Sequence, residues 1–276
     1  MGFSAFSHIE MPHFVQVEET ETPGTFRLPI MAALCVGPPQ KRFMLGGVGL
    51  AATISAMERF CRRPLIWATA HYYSFVREFQ EVRLDVQIAS TSTHIIHASA
   101  TGYVSDSPVF RVSGALGQQE SGISRRWLNT PDVAPPEACI EGQHWRGDNS
   151  GLHGRLEIRV AKGRYGRDRI GAPEPDGRLI LWVRSKDAHE INAQLLAVIA
   201  DLLPNGVGNA LGLNAGGSSL DNTFRVVSLR PTNWILTDIL VHAIEHGIAH
   251  GEIHLFSENG DLLAIANQSL VVRIRE

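Results

Sequence analysis

Two side chains invite a chemical reading first. Gln268 lies in LLAIANQSLVVRI (Leu262–Ile274), where Leu262, Ala264, Ala266, Leu270 and Val272 make every other position apolar. A strand puts these residues on one face with the glutamine among them. A buried amide without partners costs about 1–3 kcal/mol. Gln268 is therefore either satisfied inside a core or aimed at something that reacts. Its amide carries an acceptor and two donors, enough to orient a water. Asp221 opens a strand in SSLDNTFRVV, directly after the glycine- and serine-rich NAGGSS. It reads as a turn carboxylate or as the base that takes a water's proton.

Other constellations are weaker. In GGVGLA, Gly47, Gly49 and Ala52 fit the spacing of a dinucleotide-binding turn. That site needs a strand before it, a helix after it and an acid about 20 residues on. The preceding KRFML is short, and LIWATA offers no acid. Gly46 and Gly47 read better as the start of a helix, whose free N–H groups can hold a carbonyl oxygen or a developing negative charge. In HGEIH, period two aligns His250, Glu252 and His254 on one face. The opposite face (Ala249, Ile253, Leu255) is apolar and suits the core, so the trio is expected on a solvated surface and no metal is expected. His242, near the end of an apolar strand, needs a partner. No G-x-S-x-G elbow is present, and Cys35, Cys61 and Cys139 lie in no catalytic pattern. A hydrolase built on this chain would use water as its nucleophile.

These residues need elements to position them. GGVGLAATISAMERFCRR (Gly46 to Arg63) reads as a helix with basic residues gathered at its C-terminal end. Strands are expected in Leu65–Val76, Glu81–Asp106 and Pro108–Gly117, broken by STST and SDSP. The order then repeats. GRLILWVR (Gly177–Arg184) is a strand, and Asp187–Leu203 is an expected helix with Ile191, Leu195, Leu196, Ile199, Leu202 and Leu203 at helical spacing. Four extended stretches follow, the last two joined by ENGD, where Asn259-Gly260 suits a type I′ hairpin turn. Each half is strand, helix, then antiparallel strands, as expected of a sheet wrapped round a helix. Residues 119–166, rich in Pro, Gly, Arg and Glu, read as a linker between modules at 1–118 and 167–276.

Composition narrows the function. The 276 residues are 44% hydrophobic and 19% charged, with formal net charge −3, so no strong field draws nucleic acid or an anionic membrane. Three scattered cysteines argue against a disulfide scaffold and for a reducing compartment. MGFSAFSHIEMPHF has neither the basic start and apolar core of a signal peptide nor the myristoylation pattern, since Phe6 stands where it wants Ser or Thr. No run approaches the ~18 apolar residues of a membrane span. A cytoplasmic location is expected.

Taken together, SLDNT, NWIL and GEIHLFSENGDLLAIANQSLVVR, with GGVGLAATISA and HYYSFV in the first half, resemble the acyl-CoA thioesterase II family over most of the chain outside the linker. The resemblance implies an α+β double hotdog, two antiparallel sheets each wrapping a central helix and packed as a pseudo-dimer. It implies hydrolysis of acyl-CoA to free acid and CoA with no cofactor, and a homo-oligomer is expected. By position, Asp221 and Gln268 match the family's aspartate and glutamine. Counting from Trp234, His242 falls where the family has Thr or Ser, while Thr237 falls at the wrong distance. Gly46, Gly47, His71 and Tyr72 are expected to bind substrate, the last two near the mouth of an acyl tunnel. A hotdog dehydratase or hydratase and a non-catalytic acyl-CoA-binding protein are the alternatives. The dehydratase motif H-x-x-x-G is broken, with Phe75 four residues after His71.

Overall fold

A computed structural model describes residues 13–118, 122–143, 150–187 and 190–275. The N-terminal stretch read above as no leader, parts of the expected linker, and two early positions of the expected Asp187–Leu203 helix therefore lie wholly or largely outside the described residues.

The first helix, α1 (Gly46–Cys61), is buried without interruption from Gly47 to Met57. A helix apolar on all sides belongs inside a core. It ends where Arg62 turns left-handed at φ 53°. A curled antiparallel sheet covers it, in the spatial order Thr25–Pro29, Glu81–Thr91, Ile95–Val104, Ser107–Gly117, Leu65–Tyr72. The second half repeats this with Asp221–Val226, Leu262–Ile274, Ile248–Ser257, Ile235–Glu245, Arg178–Ser185 and Leu156–Lys162. The two expected sheets are hydrogen-bonded edge to edge, giving one sheet of 14 strands among the described residues. At the seam, Leu65–Tyr72 runs antiparallel to Asp221–Val226, with His71 opposite Asp221 and Thr69 opposite Thr223. The two threonine hydroxyls meet at 3.1 Å.

The second helix departs from the expectation. Helix α2 (Ala193–Ile199) starts at Asn192, whose side chain caps it by accepting from Leu195 N–H at 2.8 Å. It stops before the expected end. Pro204 has no N–H to bond back to Ala200, and its ring disfavours a continuing helix before it. The chain makes a tight turn at Ala200–Leu202 and restarts as α3 (Leu203–Leu211), with the proline at its favoured first turn. It is α3 that packs on the second half of the sheet, whereas α2 lies against α1. Gly206 permits that packing: a Cβ there would come within 2.7 Å of Ile239 Cγ2.

Two smaller corrections follow. Leu156–Lys162, inside the segment read as linker, is a strand paired with Arg178–Ser185. The preceding chain lies across the outer face of the second half, where Trp182 donates its indole N–H to the Ala134 carbonyl at 2.9 Å. The ENGD turn forms, but of its residues only Gly260 (φ 80°) is left-handed, so it is not type I′. Ser257 and Asp261 close it instead.

Candidate active site

Gln268 does face inward and is 4% exposed. Its amide nitrogen donates to Asp201 Oδ1 at 2.6 Å and to Ser219 Oγ at 2.7 Å. The other carboxylate oxygen of Asp201 accepts the Gly47 backbone N–H at 2.6 Å. Four elements meet here: the final strand, the break between α2 and α3, the short strand Ala215–Ser219, and the first turn of α1. Asn222 is fully buried beside them. Gly47 is required by contact, since a Cβ would stand 2.7 Å from Asp201 Cβ and 3.0 Å from the Ala197 carbonyl.

Burial raises the Asp201 pKa to about 6. The Gly47 N–H, the Gln268 amide, Asn222 and Ser219 oppose that rise and keep the carboxylate ionised near neutrality. The positive end of the α1 dipole acts in the same direction. The result is a carboxylate more basic than an ordinary aspartate yet charged at pH 7, which suits a general base. Gln268 Oε1 is buried and has no partner among the described residues.

The predicted residues divide. Gln268 and Gly47 come together, and Gly46 and Tyr72 line the adjoining cavity. Asp221 does not reach the Gln268 side chain. The pleat puts Asn222, not Asp221, on the inner face, and Asp221 Oδ1 accepts the Ser269 N–H at 2.6 Å. His71, opposite it across the seam, is exposed and outside the cavity. His242 lies on the outer face, 3.6 Å from Glu252. It is the extra residue of a bulge between Val241 and Ala243. The hydroxyl beside Gln268 is Ser219, at the end of the glycine- and serine-rich stretch, which forms the strand Ala215–Ser219. Asp201 was missed because it sat inside an apparent helix. Its signal was an acid with apolar neighbours on both sides in VIADLLP, a pattern that leaves a carboxylate no solvated face. Of HGEIH, His250 is exposed and bonds Ser269 Oγ, while Ala249, Ile253 and Leu255 are buried as expected.

Asp201 and Ser219 form part of the wall of a cavity of about 690 Å³ between the halves. Val36, Met44, Leu45, Val76 and Phe110 supply apolar wall, and Lys41, Arg273 and Arg275 supply positive charge. Among the described residues no group of three or more His, Cys, Asp or Glu is placed to hold a metal. No helix there is long and apolar enough to cross a membrane.

The repeat shows why one half carries this set. Leu65 pairs with Leu116 as Ser219 pairs with Leu270, and Thr69 with Ser113 as Thr223 with Asn267, each shifted by 154 positions. At that shift Leu65, Ala68 and Gly114 stand where Ser219, Asn222 and Gln268 stand.

The fold is a double hotdog, and the family that the chain matches is one of thioester hydrolases. Residues 131–272, just over half of the chain, match the family model described as acyl-CoA thioesterase C-terminal domain. The chain belongs to that family. No curated protein sequence matches it. Among solved structures it is similar to an ascribed thioesterase of Novosphingobium aromaticivorans, at 28% identity over 94% of this chain and 98% of that one, with a TM-score of 0.83. A hotdog protein of unknown function from Alicyclobacillus acidocaldarius (17% identity, 95% and 96% covered, TM-score 0.81) shares the fold. So does an acyl-CoA thioesterase II of Mycobacterium marinum (16% identity, 95% and 98% covered, TM-score 0.72).

Proposed function

We propose that the chain hydrolyses acyl-CoA to the free acid and CoA, using a water activated by Asp201 and oriented by Gln268 and Ser219. In this reading the water oxygen bonds to the thioester carbonyl carbon as its proton passes to Asp201. The tetrahedral species then expels the CoA thiolate, which takes the proton from Asp201. Gln268 Oε1 accepts the water's second hydrogen, a role that fits a buried acceptor without a protein partner. In this reading Gln268 orients the water, with Asp201 in the role the resemblance implied for Asp221 and Ser219 in that of His242.

The observation that carries this reading is the buried, ionisable Asp201 bonded to Gln268 in the cavity wall. CoA as the carrier is supported by Lys41, Arg273 and Arg275, which suit its phosphates. The test is CoA release from a panel of acyl-CoAs by the wild-type chain and Asp201→Asn. We expect turnover by the wild type and a loss of at least about 100-fold in the variant. Equal rates would overturn the assignment of Asp201. Rapid crotonyl-CoA hydration without CoA release would favour a hydratase.

A further inference from the structure

One buried polar group in the cavity has no role in that scheme. The Tyr72 hydroxyl is buried and has no hydrogen-bond partner among the described residues. Tyr72 ends the first half's seam strand and lines the cavity. Its ring and the catalytic carboxylate flank the same point of α1. A Cβ on Gly46 would stand 3.0 Å from Tyr72 Cζ and 3.2 Å from Asp201 Oδ2. For packing alone phenylalanine would serve better, because a buried hydroxyl without a partner costs about 1–3 kcal/mol. Burial, and then the charges of Asp201 and Asp221, drive the phenol's pKa well above its ordinary value. The group therefore stays protonated and acts as a donor. It is also too weak an acid to protonate a departing thiolate, whose conjugate thiol has a pKa of about 8.5.

We propose that Tyr72 is a catalytic residue whose hydroxyl donates a hydrogen bond to the thioester carbonyl oxygen. The proposal rests on the thioesterase reading above. As the water oxygen bonds to the carbonyl carbon, the C=O π pair moves onto oxygen. That oxygen gains negative charge beside the Tyr72 O–H. When the C–S bond breaks the pair returns, and the tyrosine keeps its proton throughout. A donor fixed in a water-poor site before the reaction acts selectively on the transition state.

The test is Tyr72→Phe, which keeps the ring. We expect kcat for CoA release to fall by about 100- to 1,000-fold and KM to change by less than about threefold. The melting temperature should hold or rise, because a partnerless hydroxyl is removed. A second readout uses an acyl-CoA analogue in which CH₂ replaces the thioester sulfur. Its ketone stretch should shift to lower wavenumber on binding the wild type and return towards the free value in Tyr72→Phe. A kcat within about threefold of wild type would overturn the proposal, and so would a bound ketone band in Tyr72→Phe that stays at its wild-type position, whatever the change in kcat. Asp201→Asn is measured alongside. If it is inactive and Tyr72→Phe is not, only the role of Tyr72 falls; if it retains turnover, the water-activation scheme falls first.

Discussion

Replacing Asp201 by asparagine should abolish activity and stabilise the protein, and the two effects should part with pH. Asp201 is 2% exposed, and burial lifts its pKa from 3.8 to about 6. At 1.36 kcal/mol per pH unit, holding the charged form in the fold costs about 3 kcal/mol once the pH exceeds about 6. The folded state binds the proton more tightly than the unfolded chain. Stability from this group is thus full below about pH 4 and is lost as pH rises through about 6. Asparagine removes the charge and can still accept the Gly47 N–H. Its own amide meets the Gln268 donor unless Gln268 rotates, a mismatch worth about 1 kcal/mol. The net gain is about 2 kcal/mol at about pH 8, or roughly 4–8 °C in melting temperature, and near zero or slightly negative at about pH 4. Calorimetry at both pH values and CoA release at pH 8 test this. A melting-temperature change that does not depend on pH, or turnover within about threefold of wild type, would refute the placement of a costly ionised base at this position.

Four further outcomes follow from the site. Wild-type kcat should fall as pH drops through about 6, following the Asp201 carboxylate; a flat profile from about pH 5 to 8 would contradict its role. Asp221→Asn and His242→Ala should keep turnover within about threefold of wild type, because neither side chain reaches Gln268. Phe110→Ala should shift the chain-length preference in CoA-release assays towards longer acyl groups. Its ring lines the cavity and is pressed against the positions of Gly49 and Gly102, and each methylene accommodated is worth about 1–3 kcal/mol. Arg273→Glu should raise KM for acyl-CoA by about tenfold and leave an acyl-N-acetylcysteamine thioester unaffected, since only the former carries phosphates for the rim.

How much of this was legible in the sequence depended on the range of the interaction. The strands were readable because alternation is local, and Gln268 stood out because period two fixes its face. Asp201 was not readable from periodicity, since a helical pattern ran through it and the break depends on Pro204 three residues on. Helix α3 was hidden by its own composition. LPNGVGNAL looks like a loop by propensity, and only contact with Ile239 and Val241 explains Gly206. Ser219 was hidden for a related reason. Its GGSS context signals a turn, yet pairing with Val271 and Leu270 draws Ser218 and Ser219 into the sheet. Counting along the chain, the resemblance implied Asp221 and His242, whereas the side chains that bond Gln268 are Asp201 and Ser219.

The duplication also predicts that the silent half cannot be repaired by restoring its glutamine. Gly114 occupies the place of Gln268, and a Cβ there would lie 2.5 Å from the Trp67 carbonyl oxygen and 3.3 Å from Ala68 Cα. That obstacle is backbone, so it cannot rotate aside as a flexible side chain would. Around it, Leu65 and Ala68 offer no hydroxyl or amide to bond an incoming glutamine. Gly114→Gln should therefore lower the melting temperature, through overpacking of about 1–3 kcal/mol and an unsatisfied amide, and add no turnover to Asp201→Asn. A double variant that recovered CoA release would show that the first half retains a usable site. The first half instead serves the site in the second: the Gly47 N–H holds Asp201, and Tyr72, Met44 and Phe110 wall the cavity. The carboxylate thus draws its donors from both halves: Gln268, Ser219 and Asn222 from the second, and the Gly47 N–H from the first.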